Sequence, residues 1–148
     1  FKLNLERVIF MCKKGDVYWA EIPIIEDSRI QSGYRPVVIT SNKFATKHSE
    51  VIQYMPLTSE IKRTDMPVHV IVNPPFLPVK SMVLAEQEGI IDKHRLRTKI
   101  GSLSNDDMIR IDVAKLIQGE IDINKVITFV RHKNSQKNEN KKCCNATT

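Results

Sequence analysis

Short apolar runs separated by turn-forming residues dominate residues 16 to 86. Each run is bounded by Gly, Pro, Asn or Ser, and this pattern is typical of β-strands. We predict five strands: Asp16 to Ile22, Arg35 to Thr40, Val51 to Leu57, Pro67 to Val72 and Ser81 to Glu86. Five strands in about 70 residues predict a small barrel or sandwich.

A helical pattern follows the strands, from Asp106 to Gln118. Ser104 and Asp107 form a capping-box-like start, and Gly119 would end the helix. The apolar residues that recur at helical spacing are Ile109, Val113, Leu116 and Ile117. Shorter helical turns are predicted at Asn42 to His48 and at Asp92 to Leu96. The predicted fold class is α+β, mainly β, with a C-terminal helix.

The two ends of the chain differ from this body. Residues 1–10 have no clear period and precede Met11, a natural start, so we interpret them as a leader or upstream extension of a domain at residues 11–119. Residues 120–148 are predicted to be a C-terminal extension. Its first part, 120–130, fits either a short strand or a packed extension. About 15 residues at its end are rich in Lys, Asn, Gln and Ser and are predicted to be disordered.

The net charge of +6 is unevenly distributed along the 148 residues. Residues 11–119 carry 15 Lys and Arg against 13 Asp and Glu, which gives +2, whereas residues 120–148 carry 6 against 3. Charge alone therefore does not identify nucleic acid as a partner, because a basic tail is usually solvated.

Several function classes are disfavoured by composition. The three cysteines, Cys12, Cys143 and Cys144, provide neither a disulfide framework nor metal-ligand spacing. The four histidines are too far apart in sequence for a local metal motif. No apolar run reaches the roughly 20 residues of a membrane span, and no secretory pattern is present at the start. We predict a cytoplasmic protein with no bound metal or cofactor and no membrane partner.

A candidate site emerges if the strands run as a simple up-and-down meander. Arg35 at the start of the second strand would then lie beside Thr58 at the end of the third. The loop before Arg35, the start of the fourth strand and the Glu86–Gln87 end of the fifth would meet at the same edge. An arginine fork and a threonine hydroxyl are suited to holding a phosphate group.

These residues closely resemble the MazF/PemK toxin family. The resemblance covers Lys14 to about Gln118 in order, through the stretches Lys14–Trp19, Gly33–Asn42, Pro56–Ser59, Leu84–Gln87, Ile91–Leu96 and Ile100–Ser104. It implies a CcdB/PemK-type barrel, related to the SH3-like barrel, that forms a homodimer and cuts single-stranded mRNA at short sequences. It also implies a cognate MazE-like antitoxin and binding of operator DNA together with that antitoxin.

Carried over position by position, the resemblance assigns catalysis to Arg35 and Thr58. Attack of the ribose 2′-hydroxyl would leave a 2′,3′-cyclic phosphate and a 5′-hydroxyl, without a metal. Because arginine stays protonated, another group must accept the proton, and we predict His69 or Glu86. The residues expected to contact substrate are Gln31, Ser32, Gly33, Ser59, Glu86 and Gln87. The loop before Arg35 departs from the family at an acidic position, which affects sequence specificity more than chemistry.

Two other functions stay open at this stage. One is a non-enzymatic poison of DNA gyrase, like CcdB, on the same fold, which would not need the arginine and threonine pair. The other is a non-toxic RNA-binding barrel, which the altered loop would favour if it blocked entry of the substrate.

Overall fold

The computed structural model describes residues 11–144, with side chains described as far as residue 137. The predicted leader at residues 1–10 lies outside this part of the chain. The strands are β1 (Asp16–Ile22), β2 (Gly33–Ile39), β3 (Val51–Thr58), β4 (His69–Val72), β5 (Ser81–Leu84), β6 (Gly89–Asp92) and β7 (Leu96–Ser102). The helices are α1 (Lys43–His48), α2 (Asn105–Gln118) and α3 (Ile123–Cys144), and single 3₁₀ turns span Ala85–Gln87 and Lys93–Arg95.

The predicted strands are all present, and the α+β, mainly β class is confirmed. The helical turns predicted near residues 42–48 and 92–96 also form, as α1 and the second 3₁₀ turn. Two strands were missed. β7 buries Leu96 but exposes the next three residues, so it lacks the alternation that marks a half-buried strand. β6 buries only Ile91 of its four residues, so it also lacks a clear pattern.

The predicted meander is correct for β1, β2 and β3 but wrong for β4 and β5. The strand order is β4-β5-β3-β2-β1-β7, with β6 also paired to β3, so β5 rather than β4 lies next to β3. The order does not close on itself through the pairings of the described strands. The antiparallel register sets Thr58 opposite Met82, and Val72 opposite Ser81. The start of β5 and the end of β4 therefore lie toward Thr58, and His69, at the other end of β4, does not.

Apolar side chains cover both faces of the central strands. Successive residues of a strand point to opposite faces, and Val17 and Tyr18 accordingly enter different buried clusters. One cluster packs Val17 with β3, β4 and β5 residues and with Ile111 and Ala114 of α2. The other contains Tyr18 and residues of β2, β3, β6 and β7. The sheet that holds Arg35 and Thr58 is thus fixed from two sides.

Helix α2 begins as the capping pattern predicts. The hydroxyl of Ser104 accepts the N–H of Asp107 at 3.1 Å. The face turned to the core is that of Ile111 and Ala114, which are 0% and 1% exposed. The apolar stripe that indicated the helix remains partly accessible instead, at Ile109, Val113 and Ile117. The apolar stripe thus predicted the helix correctly, although the helix buries a different face.

The segment from Gly119 onward forms a separate compact unit. Its helix α3 replaces the predicted short strand or packed extension. The side chain of Asp122 accepts the N–H of Lys125 at 3.1 Å and so caps the helix. The disorder predicted for the final residues stays a prediction, and residues 145–148 lie outside the described range. No helix among the described residues is long and apolar enough to cross a membrane.

Candidate phosphate-binding site

Arg35 and Thr58 line one cavity of about 580 Å³. In the β2–β3 pairing Val37 lies opposite Pro56, and the same antiparallel register continued by two residues sets Arg35 opposite Thr58. The neighbouring ends of two strands thus bring together the two side chains that the sequence selected. The full set of lining residues is Trp19, Gln31, Tyr34, Arg35, Pro36, Leu57, Thr58, Ser59, Glu60, Leu77, Pro78, Val79 and Ser81.

Part of the cavity wall was missed because it depends on the strand order. Residues 77–79 and Ser81 line the cavity because β5 begins beside the end of β3. A meander would have put the start of β4 there instead. The sequence of this segment carried no recognisable signal for the site.

The loop before β2 holds the guanidinium group of Arg35. Its Nε donates to the main-chain oxygen of Ser32 at 2.9 Å, and Nη1 donates to Oε1 of Gln31. Gly33, between them, has φ of +80°, a conformation that L side chains rarely adopt. The pKa of Arg35 is lowered from its ordinary value, because the lowering by burial exceeds the opposing effect of Tyr54. A guanidinium remains charged at neutral pH all the same.

Thr58 is held so that its hydroxyl proton stays available. Its Oγ1 accepts the main-chain N–H of Glu60 at 3.1 Å. A hydroxyl that accepts through oxygen can still donate its own hydrogen. Ser59, the next residue, lines the same cavity, and its contact with substrate stays a prediction. Thr58 is therefore suited to donate a neutral hydrogen bond beside the charged Arg35.

An aromatic pair forms another part of the wall. The rings of Trp19 and Tyr34 stack with centroids 5.0 Å apart and an interplanar angle of 12°. Tyr18 is 4% exposed on the other face of β1, as the alternation of strand residues predicts. Tyr34 is 58% exposed, so the cavity offers a flat apolar surface at its edge.

Five predicted site residues are not among those that line the cavity: Ser32 and Gly33 in the loop before β2, and Gln87, His69 and Glu86. Oε1 of Gln87 accepts the main-chain N–H of Gln31 at 2.7 Å, so Gln87 does not line the cavity itself but contacts Gln31, which does. His69 and Glu86 pair with each other, with Nε2 and Oε1 2.9 Å apart. Nδ1 of His69 lies 2.8 Å from the main-chain oxygen of Arg63.

This arrangement bears on the predicted proton acceptor. Both ring nitrogens of His69 face oxygen atoms that accept hydrogen bonds, so the doubly protonated ring satisfies both. Burial lowers the pKa of His69, but the hydrogen bonds to Glu86 and to the Arg63 carbonyl raise it above its ordinary value of 6.5. A protonated ring has no lone pair for another proton. Oε2 of Glu86, by contrast, has no hydrogen-bond partner among the described residues. The proton acceptor therefore stays a prediction.

We expect His69 to titrate above pH 6.5 when its ring protons are followed by NMR. Since the folded chain binds this proton more tightly than the unfolded chain, the resulting stability is fully present below pH 6.5. It is lost as the pH rises through the folded pKa. Glu86→Gln should lower the midpoint and weaken the fall in stability on the alkaline side, whereas His94→Gln at an exposed position should change neither. An unchanged His69 midpoint in Glu86→Gln would contradict this assignment.

The part of the chain that the structure describes contains no candidate metal site. No three His, Cys, Asp or Glu side chains there are grouped so that they could hold an ion. Cys12 is buried and not disulfide-bonded, and burial raises the pKa of its thiol. The absence of a cofactor stays a prediction.

Comparison with known proteins identifies the class of this β-rich domain. Residues 13–118 match the family described as "PemK-like, MazF-like toxin of type II toxin-antitoxin system". The chain belongs to this toxin family, as its motifs predicted. It is 36% identical over 106 residues to endoribonuclease MazF of Staphylococcus epidermidis, covering 70% of this chain and 88% of that protein.

Solved structures share the fold. MazF of Deinococcus radiodurans matches with a TM-score of 0.66 and 19% identity, over 76% of this chain and 99% of the other. A mycobacterial endoribonuclease in complex with its cognate antitoxin matches with a TM-score of 0.63 and 22% identity, over 75% and 97%. Because the family match ends at residue 118, α3 lies beyond it.

Proposed function

We propose that this toxin is a sequence-specific endoribonuclease that cleaves single-stranded mRNA without a metal. The observation that carries the proposal is the meeting of Arg35 and Thr58 in one cavity at the neighbouring ends of β2 and β3. The relative at 36% identity is named an endoribonuclease, which supports the same activity here. The comparisons do not favour the gyrase-poison alternative.

The proposed reaction uses a nucleophile carried by the substrate. The ribose 2′-oxygen attacks the adjacent phosphorus, the bond from phosphorus to the 5′-oxygen breaks, and a 2′,3′-cyclic phosphate forms. The 2′-hydroxyl passes its proton to a base, for which His69 and Glu86 are the predicted candidates, and the leaving 5′-oxygen takes a proton from Arg35. Since the nucleophile is internal to the RNA, no metal-bound water is required.

Arg35 and Thr58 have separate roles in this proposal. Negative charge grows on the phosphorane oxygens in the transition state, and fixed donors aimed at them stabilise it by about 3 kcal/mol each. Arg35 supplies a full positive charge and is also the proposed proton donor to the leaving oxygen. Thr58 supplies a neutral hydrogen bond. Ser32, Gly33 and Gln31 shape the loop that carries Arg35, and Ser59 contacts the substrate beside Thr58.

The aromatic stack of Trp19 and Tyr34 supports single-stranded RNA as the substrate class. Unpaired bases stack on exposed aromatic rings, whereas the bases of a duplex are already stacked on one another. A base next to the cleaved phosphate could therefore pack on Tyr34, which is 58% exposed at the cavity edge.

The proposed partners follow from the family. A cognate antitoxin is expected, as in the mycobacterial complex, and a MazE-like one, as in the MazE-MazF structure from Deinococcus radiodurans. Operator DNA would be bound together with that antitoxin. We also propose a homodimer in the cytoplasm. The exposed apolar stripe of α2, Ile109, Val113 and Ile117, is one candidate surface for the second copy.

The test is cleavage of a long single-stranded RNA in EDTA, with analysis of both product ends. We expect cuts at a fixed short sequence, with 2′,3′-cyclic phosphate and 5′-hydroxyl ends. The matched control is an RNA with one 2′-deoxyribose at the cleaved position, which should remain intact there. Products with 5′-phosphates, cutting that requires added Mg²⁺, or intact RNA with folded protein would contradict the proposal.

A further inference from the structure

The Arg35 guanidinium is held by neutral oxygens alone among the described residues. Its two hydrogen-bond partners there are the Ser32 carbonyl, at 2.9 Å, and the side-chain amide oxygen of Gln31. Neither acceptor carries a charge, and no described carboxylate forms an ion pair with Arg35. Its direction is therefore fixed while its positive charge stays available for a phosphate.

The loop that supplies these oxygens is itself fixed by one side chain. Oε1 of Gln87 accepts the main-chain N–H of Gln31 at 2.7 Å. This hydrogen bond joins the loop before β2 to the 3₁₀ turn Ala85–Gln87, 56 residues further along the chain. Without this hydrogen bond, the half-buried N–H of Gln31 would lose its acceptor, and the loop would lose this contact with the 3₁₀ turn.

The 3₁₀ turn is a firm anchor for Gln87. The N–H of Ala85 donates to the main-chain oxygen of Val68 at 3.1 Å. On one side of Gln87, Glu86 is paired with His69. On the other side, Oε1 of Glu88 accepts from the Thr40 hydroxyl at 2.7 Å and from the Lys115 ammonium at 2.6 Å. Both flanking side chains are thus tied to other elements.

We propose that Gln87 is a positioning residue that acts through Gln31 to hold Arg35 in its catalytic orientation. The inference rests on the proposed function and differs from the substrate contact that the family resemblance implied. The side-chain oxygen of Gln87 is already engaged by the loop, and Gln87 does not line the cavity. Its contribution would therefore appear in the chemical step rather than in RNA binding.

The first test compares Gln87→Met with Gln87→Glu. Methionine has similar length but cannot accept the Gln31 N–H, whereas glutamate keeps an acceptor oxygen. For Gln87→Met we expect kcat to fall about 10- to 100-fold, with KM changed by less than about threefold, because small misplacement of a catalytic group has this effect. Gln87→Glu should retain kcat within about threefold. Gln53→Met, at an exposed position of β3, is the matched control and should leave both constants unchanged.

The second test needs no RNA. Hydrogen exchange of the Gln31 amide should be about tenfold faster or more in Gln87→Met than in the wild type, and unchanged in Gln87→Glu. Gln31→Met should keep this amide protected, because its main-chain N–H is intact, and yet lose kcat, because its contact with Arg35 is gone. Gln31→Met therefore tests the contact between Gln31 and Arg35 separately from the contact between Gln87 and Gln31.

Particular outcomes would overturn the inference. Unchanged kcat in Gln87→Met, equal losses of kcat in Gln87→Met and Gln87→Glu, or a change confined to KM would each do so. An equal rate of hydrogen exchange at the Gln31 amide in the wild type and in Gln87→Met would also overturn the inference. If the wild type leaves RNA intact while Gln31 protection still depends on Gln87, the proposed function fails and the positioning contact stands.

Discussion

Arg35→Ala is expected to lower kcat for RNA cleavage by about 10²- to 10³-fold, the usual cost of removing a donor aimed at transition-state charge. The guanidinium is tied to Gln31 and Ser32, and its charge is not paired with a described carboxylate. It would therefore meet the phosphate of the proposed RNA substrate with its full charge and little reorganisation. The measurement is single-turnover cleavage of one defined RNA at saturating protein.

Two further variants give this prediction its controls. Arg35→Lys keeps a positive charge but loses the planar fork and its contacts with the loop, so an intermediate loss is expected. Arg29→Ala removes an arginine from the same loop at an exposed position and should change kcat by less than about threefold. If Arg35→Ala retained more than about a tenth of wild-type kcat, the catalytic assignment of Arg35 would fail.

The core of the site was predictable because it depends on one strand pair. Any antiparallel β2–β3 pairing brings the start of β2 to the end of β3, so Arg35 and Thr58 meet whatever the other strands do. The wall at residues 77–81 depends on β5 lying next to β3. Sequence patterns do not fix the order of short strands, since each has a similar apolar face.

The roles of the neighbouring residues were less accessible for a different reason. Gln87 was linked to the site by resemblance, but its partner is a main-chain N–H 56 residues away. Such a contact leaves no trace in composition or period. His69 and Glu86 were predicted near the Arg35 edge by the meander, and the actual strand order sets His69 at the far end of β4.

Helix α3 shows how one apolar pattern can fit two structures. Ile121 and Ile123 alternate with acidic residues as in a strand, while Ile123, Val126, Ile127 and Val130 recur at helical spacing. The Asp122 cap favours the helix from the following residue. In α2, similarly, apolar residues occupy more than one face, so periodicity identified the helix but not which side it buries.

Ile111→Ala should produce the largest loss of stability that we predict. Ile111 is 0% exposed and joins α2 to the cluster that contains Val17, Val38 and Leu57. Truncation removes buried methyl groups and leaves a cavity that the sheet cannot readily fill, so the free energy of unfolding should fall by about 2–5 kcal/mol. Denaturant unfolding monitored by circular dichroism measures this change.

Ile109→Ala is the matched control, because it makes the same truncation two residues earlier on a side chain that is 52% exposed. It should change the free energy of unfolding by about 0.5 kcal/mol or less. Equal losses at Ile109 and Ile111 would contradict the assignment of α2's buried face. A large loss at Ile109 that depends on protein concentration would instead identify this stripe as a surface that a second copy covers, since dissociation then contributes to unfolding.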